Sequence, residues 1–87
     1  MVFFYTYILM SNRDGYSYIG YSQDLKKRIE EHNKGYVLAT KHRRPLKLVY
    51  YEACLNREDA MQRERYLKTT NGRRWLGKRL RRYNKSV

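Results

Sequence analysis

In SYIGYSQDLKKRIEEH, Ser17 to His32, a strand-like run passes through an aromatic and glycine step into a helix that must bury Leu25 and Ile29. At about 100° per residue from Leu25, Ile29 falls at roughly 40°, Arg28 at roughly 300° and His32 at roughly 340°. Both polar groups therefore straddle the stripe that the helix buries. Either Arg28 carries its charge past the sheet edge to water and His32 is a satisfied, half-buried imidazole, or the pair faces something anionic beside Tyr7 and Tyr18. A later helix poses the same problem. Counted from Ala60, Leu67 lies at roughly 340° and Glu64 at roughly 40°, inside the apolar arc, whereas Glu58 and Asp59 stand at the helix start. A carboxylate that leaves water must be paired, hydrogen-bonded or bound to metal. An ion pair with Lys68 and a functional role both fit Glu64 on geometry alone.

These side chains need a scaffold. Phe3 to Met10 is rich in aromatic and β-branched residues and predicts a first strand. The Asn, Asp and Gly of 11–15 predict a turn, and Tyr16 to Tyr21 a second strand closing an antiparallel hairpin. Period-two alternation puts Tyr5, Tyr7 and Leu9 on one face and Tyr16, Tyr18 and Gly20 on one face, so Tyr7 and Tyr18 can meet. Most of the ten tyrosines read as core or rim aromatics whose hydroxyls stay wet. Ser22 is the expected N-cap of a helix to Asn33, with Asp24 in its first turn and Gly35 beyond its end. A polar loop from Lys34 to Pro45 carries the basic run KHRR, and Leu46 to Glu52 alternates as a third strand. Asn56 caps a second helix through Lys68, Asn71 and Gly72 end it, and 73–83 forms a third helix burying Trp75, Leu76 and Leu80. A short, basic, frayed tail is expected after it. The order β-β-α-β-α-α predicts an α+β fold, a three-stranded antiparallel sheet flanked by helices. One domain over 1–87 is expected, its core spanning about residues 3 to 83.

Lys and Arg total 20 against 8 Asp and Glu, a net charge of +12. Such a surplus repels itself until a polyanion neutralises it, and a basic surface carrying flat rings suits phosphates and exposed bases. Lys41, His42, Arg43 and Arg44, with Arg73, Arg74, Lys78 and Arg79 of the third helix, are the expected phosphate contacts, although a solvated basic loop is the simpler reading of KHRR. No long basic amphipathic helix or lipidation motif favours a membrane. The opening MVFFYTYILM lacks the positive leader and the cleavage site of a signal peptide. Lone Cys54 makes no internal disulfide, and two histidines without a cysteine cluster make no zinc site of the usual spacing. A reducing, cytoplasmic setting and a monomer are expected.

Together, YTY at Tyr5 to Tyr7, YIG at Tyr18 to Gly20, Arg28, His32 and Glu64 resemble, in order and approximate spacing, the signature of the GIY-YIG nuclease superfamily. GYSQDLKKRIEEHNKG and RRPLKLVYYE are most similar to its small stand-alone YhbQ-like bacterial branch. Three departures stand out: Tyr5 and Thr6 replace the first Gly and the Ile, and Tyr21 follows YIG where some relatives carry a basic residue. The resemblance implies a divalent-metal-dependent phosphodiesterase. Glu64 would then bind one Mg²⁺ or Mn²⁺, weakly without nucleic acid, and Arg28 would hold the phosphoryl oxygens. Tyr7 or Tyr18 would act as base if cations lower a phenol pKa of about 10, and His32 would share that role or polarise the phosphate. DNA is a more natural substrate than RNA on this reading, and a protein partner would supply specificity that 87 residues cannot. The rival is a non-catalytic nucleic-acid-binding module, or an accessory domain of a DNA repair or processing assembly, with a vestigial nuclease face.

Overall fold

The computed structural model describes residues 1–86. β1, Phe4–Ser11, and β2, Ser17–Ser22, pair antiparallel with Tyr7 opposite Gly20 and Leu9 opposite Tyr18. β3, Leu46–Cys54, pairs antiparallel with the other side of β1, so the order is β2-β1-β3. Central β1 is covered on both faces, and Thr6, Tyr7, Ile8 and Leu9 are all buried. That is why its sequence runs almost continuously apolar instead of alternating. Tyr7, Leu9 and Leu46 form the core on one face with Tyr18, Leu48 and the Leu25 and Ile29 of α1, Leu25–Asn33. Ile8 and Ile19 form the other core with Leu67 of α2, Arg57–Leu67, and Leu76, Trp75 and Leu80 at and beyond α3, Thr70–Arg79. The expected α+β fold is present, with α1 on one face of the sheet and α2 and α3 on the other.

Several boundaries differ from expectation for identifiable reasons. α1 is capped by Asp24, whose side chain accepts from the Lys27 amide at 3.1 Å, and not by Ser22. Both residues can cap, but Ser22 still belongs to β2, and its hydroxyl accepts from the Asp24 amide at 3.0 Å in the turn between strand and helix. β3 continues through Cys54, and a 3-10 turn over Lys41–Arg43 interrupts the loop before it. Asn71 and Gly72 do not end α2. They lie in the first turn of α3, whose cap is Thr69, its hydroxyl accepting from the Gly72 amide at 3.1 Å. Gly72 is there because the helices touch: a Cβ would stand 1.9 Å from the Tyr66 carbonyl oxygen. Such an approach excludes any side chain. The third helix stops at Arg79, and the expected frayed tail is instead α4, Arg81–Ser86, with Val87 outside the described residues. The helical order is therefore β-β-α-β-α-α-α.

Candidate active site

The site is built around the Tyr7 hydroxyl. Tyr7 lies opposite Gly20 in the β1–β2 ladder, and its ring leans across that residue. A Cβ on Gly20 would come within 2.5 Å of Tyr7 Cζ and Oη and 2.9 Å of Tyr18 Cε2. The glycine of YIG is thus the opening through which the phenol passes. Both Tyr7 and His32 are fully buried, and Tyr7 Oη lies 2.9 Å from His32 Nε2. Tyr18 closes the cluster edge-on to the imidazole, with ring centroids 4.9 Å apart, and lies 6.3 Å from the Tyr7 ring.

One turn of α1 before His32, Arg28 is 37% exposed and bonded to Glu31 at 3.2 Å. Its guanidinium also faces the Tyr7 hydroxyl closely enough to favour the phenolate. Burial is the larger effect and pushes the Tyr7 phenol up to about 12, with Tyr18 and Glu64 adding to the rise. Burial pushes His32 down to about 4, and the Arg28 charge adds to the fall. In the free protein Tyr7 is therefore a neutral phenol and His32 a neutral imidazole at working pH. Phenolate formation waits for added positive charge near Tyr7.

Glu64 stands on α2, in the layer across the sheet from α1, and its charge adds a minor push to the rise of the Tyr7 phenol. Its turn of α2 is tied to the sheet by Thr6, which stands where the GIY pattern has Ile. Buried Thr6 donates from Oγ1 to the Ala60 carbonyl at 2.8 Å, the same carbonyl that takes the Glu64 amide in the helical ladder. The Glu64 side chain is 22% exposed, and its Oε2 accepts from Lys68 Nζ at 2.8 Å. The expected ion pair is thus present, and Oε1 has no hydrogen-bond partner among the described residues. No three His, Cys, Asp or Glu converge among those residues. One carboxylate with a free oxygen fits a hard, mostly hydrated Mg²⁺ or Mn²⁺ whose remaining ligands are water and phosphate oxygens.

The eight expected phosphate-binding residues fall into two groups. Lys41 to Arg44 follow directly on Thr40, which touches His32, and are knit to the β1–β2 turn. Arg43 bonds Asp14 at 2.7 Å and lies 3.8 Å over the Tyr16 ring, while Ser11 and Arg13 donate to the Arg43 and His42 carbonyls at 2.6 and 3.0 Å. Arg44 donates to the Lys41 carbonyl at 2.8 Å. The group is a braced loop, and Arg43 is partly neutralised within it. Arg73, Arg74, Lys78 and Arg79 are exposed on α3, in the layer across the sheet from α1.

Two contributors escape sequence reasoning. Thr40 is fully buried with its Oγ1 2.7 Å from His32 Nδ1, and Thr6 anchors α2. A small polar residue in a loop or a strand gives no periodic signal, although Thr6 in a run of large apolar residues is a hint. Tyr21 follows YIG but points to the other face, beside Thr6, and its hydroxyl is buried with no hydrogen-bond partner among the described residues.

The chain matches the GIY-YIG catalytic domain over residues 3–84. It is 44% identical over 66 residues to a UPF0213 protein of Staphylococcus saprophyticus, covering 75% of this chain and 79% of that one. A UPF0213 protein of Staphylococcus aureus strain Mu3 is 44% identical over 57 residues, 64% of this chain and 70% of that protein. The solution NMR structure of a UPF0213 protein from Bacillus halodurans superposes with a TM-score of 0.53 at 34% identity, covering 85% of this chain and 81% of its own.

Proposed function

Because the chain belongs to the GIY-YIG catalytic domain family, we propose that it is a divalent-metal-dependent endonuclease that hydrolyses phosphodiester bonds in DNA or structured nucleic acid. The observation that carries this reading is a fully buried phenol, Tyr7, bonded to an equally buried imidazole, His32, at 2.9 Å, with Arg28 one helical turn before that histidine. A structural core has little use for that combination. Hydrolysis needs an activated water, relief of charge on the phosphoryl oxygens and neutralisation of the leaving oxygen.

Arg28 presents a fork of permanently charged donors to the non-bridging oxygens. Tyr7, hydrogen-bonded to His32, orients the attacking water and passes the water's proton inward as its own is taken up at His32 Nε2. Tyr18 walls the imidazole from solvent. Glu64 would hold one Mg²⁺ or Mn²⁺, which when bound supplies the positive charge that both a phenolate and the leaving oxygen require. Lys68 competes for that carboxylate, so the affinity for the ion rises when substrate phosphate arrives.

The surface cations hold the nucleic acid through its backbone, and log affinity should fall linearly with log salt at about 0.7 to 0.9 per neutralised phosphate. Lys41 and His42, next to the braced turn, and the α3 cations supply these contacts. DNA is the preferred substrate, a protein partner supplies specificity, and the protein works as a monomer in the cytoplasm, in DNA repair or processing. No helix among the described residues is long and apolar enough to cross a membrane.

A second reading is favoured by the Glu64–Lys68 pair and by the high phenol pKa. Both are what a nucleic-acid-binding module with a vestigial nuclease face would show. Incubating supercoiled plasmid, branched DNA and structured RNA with Mg²⁺ or Mn²⁺ separates the two. The nuclease cuts at least one substrate, and Arg28→Ala binds it but does not cut. Binding of all substrates with no cutting by the wild type leaves the binding module.

A further inference from the structure

We propose that Thr40 is a positioning residue that fixes the tautomer of His32, placing the ring proton on Nδ1 and leaving Nε2 bare to receive the Tyr7 proton. Its catalytic consequence rests on the nuclease reading; the tautomer itself does not.

The donor inventory around the buried chain leads to this assignment. Tyr7 is fully buried, its hydroxyl has His32 Nε2 as its one hydrogen-bond partner among the described residues, and a guanidinium such as Arg28 has no acceptor to offer a phenol proton. The Tyr7 proton must then go elsewhere, and His32 Nε2 at 2.9 Å is the acceptor within reach. Nε2 is therefore unprotonated, and the neutral ring carries its proton on Nδ1, 2.7 Å from Thr40 Oγ1. Thr40 Oγ1 accepts a hydrogen bond from that Nδ1–H and donates its own hydroxyl to the Val37 carbonyl, at 3.5 Å.

Thr40 is well placed to do this. His32 and Thr40 are both fully buried, so water does not compete for Nδ1. The Thr40 backbone is held on both sides, its amide donating to the Val37 carbonyl at 3.1 Å and its carbonyl accepting from the Arg43 amide at 2.9 Å. The second bond ties the Thr40 backbone to the 3-10 turn that begins at Lys41, so the loop bearing the basic run also holds the residue that orients the imidazole. The second ring nitrogen of a catalytic or metal-binding histidine is commonly fixed by such a partner.

During proton transfer the Tyr7 O–H bond breaks and an N–H bond forms at His32 Nε2, leaving a phenolate and an imidazolium. With Thr40 present, both N–H groups of that imidazolium keep partners, Nδ1–H on Thr40 and Nε2–H on the phenolate. Without it, Nδ1–H would be a buried donor with no acceptor, in the state where its charge is highest.

The test uses the full chain with ring-15N histidine, at neutral pH, as wild type, Thr40→Ser and Thr40→Val. His42 is the other histidine and serves as the exposed reference. Long-range 1H–15N spectra should show His32 of the wild type and of Thr40→Ser as the Nδ1–H tautomer, and Thr40→Val as a mixture or the opposite form. Metal-dependent cleavage should fall about tenfold or more in Thr40→Val, with substrate affinity unchanged, and recover in Thr40→Ser. An Nε2–H tautomer in the wild type overturns the proposal, as does a folded Thr40→Val with unaltered tautomer. If Thr40→Val does not fold, the wild-type and Thr40→Ser spectra still decide it. If the tautomer is as stated but no variant cuts, the nuclease reading has failed and the assignment of Thr40 stands.

Discussion

The head of the Tyr7 ring occupies the space that a side chain on Gly20 would need, with Tyr7 Cζ and Oη 2.5 Å from where a Cβ would stand. Tyr7 is fully buried and cannot swing aside cheaply. Gly20→Ala should cost about 1 to 3 kcal/mol through overpacking, a fall of roughly 4 to 8 °C in Tm per kcal/mol in a domain of this size. It should also displace the phenol from His32 and abolish cleavage. Thermal melts and a plasmid assay read both, and a variant unchanged in either would show that the ring has another resting place.

Thr6 acts at a distance from the phenol. Its bond to the Ala60 carbonyl ties β1 to the turn of α2 that carries Glu64. Thr6→Val keeps the volume and removes the hydroxyl, at a cost of about 1 kcal/mol. Because Glu64 loses its tether, the concentration of Mg²⁺ needed for half-maximal cleavage should rise while DNA affinity without metal stays constant. An unaltered Mg²⁺ requirement would confine Thr6 to stability.

His32 makes stability depend on pH in a defined direction. Its folded pKa, near 4, lies below the 6.5 of an ordinary histidine, so the unfolded chain binds the extra proton between those values. Stability from the neutral buried imidazole is complete above about pH 6.5 and is lost as pH falls toward 4, by an amount of order 3 kcal/mol. Urea midpoints across that range should fall on acidification, and the His32 ring should titrate well below the free value by NMR. Titration at or above 6.5 would contradict the buried assignment.

Tyr21 carries a buried hydroxyl with no partner among the described residues. A hydroxyl in that state costs folding energy, and Tyr21→Phe removes it without changing shape. The urea midpoint should stay constant or rise, by up to about 1 kcal/mol in free energy, with cleavage retained. A clear loss of stability would mean that the hydroxyl is bonded after all.

Much of this site can be read from spacing. Period two brings Tyr7 and Tyr18 together, and the helical period sets Arg28 and His32 beside the Leu25 and Ile29 that bury α1. It also places Glu64 one turn from buried Ala60. Contacts between elements without a shared period are not legible. Thr6 and Ala60 are 54 residues apart, and Thr40 meets His32 across a loop. Boundaries failed where one residue type serves two ends. Ser22 and Asp24 can both cap, and Gly72, a stop signal by type, is required by the contact of α3 with α2. Charge was legible as a total, but not that the basic loop and the α3 cations would lie in different layers.

Glu64→Gln, scored for cleavage and stability on the same preparation, tests the account most directly. On the proposed reading Glu64 holds Mg²⁺ or Mn²⁺ and is required for cutting, whereas its pair with Lys68, half exposed on the lysine side, is worth at most about 0.5 kcal/mol. The account predicts loss of all divalent-dependent cleavage, DNA affinity retained or increased, and a Tm equal to or slightly above that of the wild type. A variant that melts well below the wild type, beside a wild type that binds but never cuts, would make Glu64 a structural partner of Lys68 and the protein a nucleic-acid-binding module.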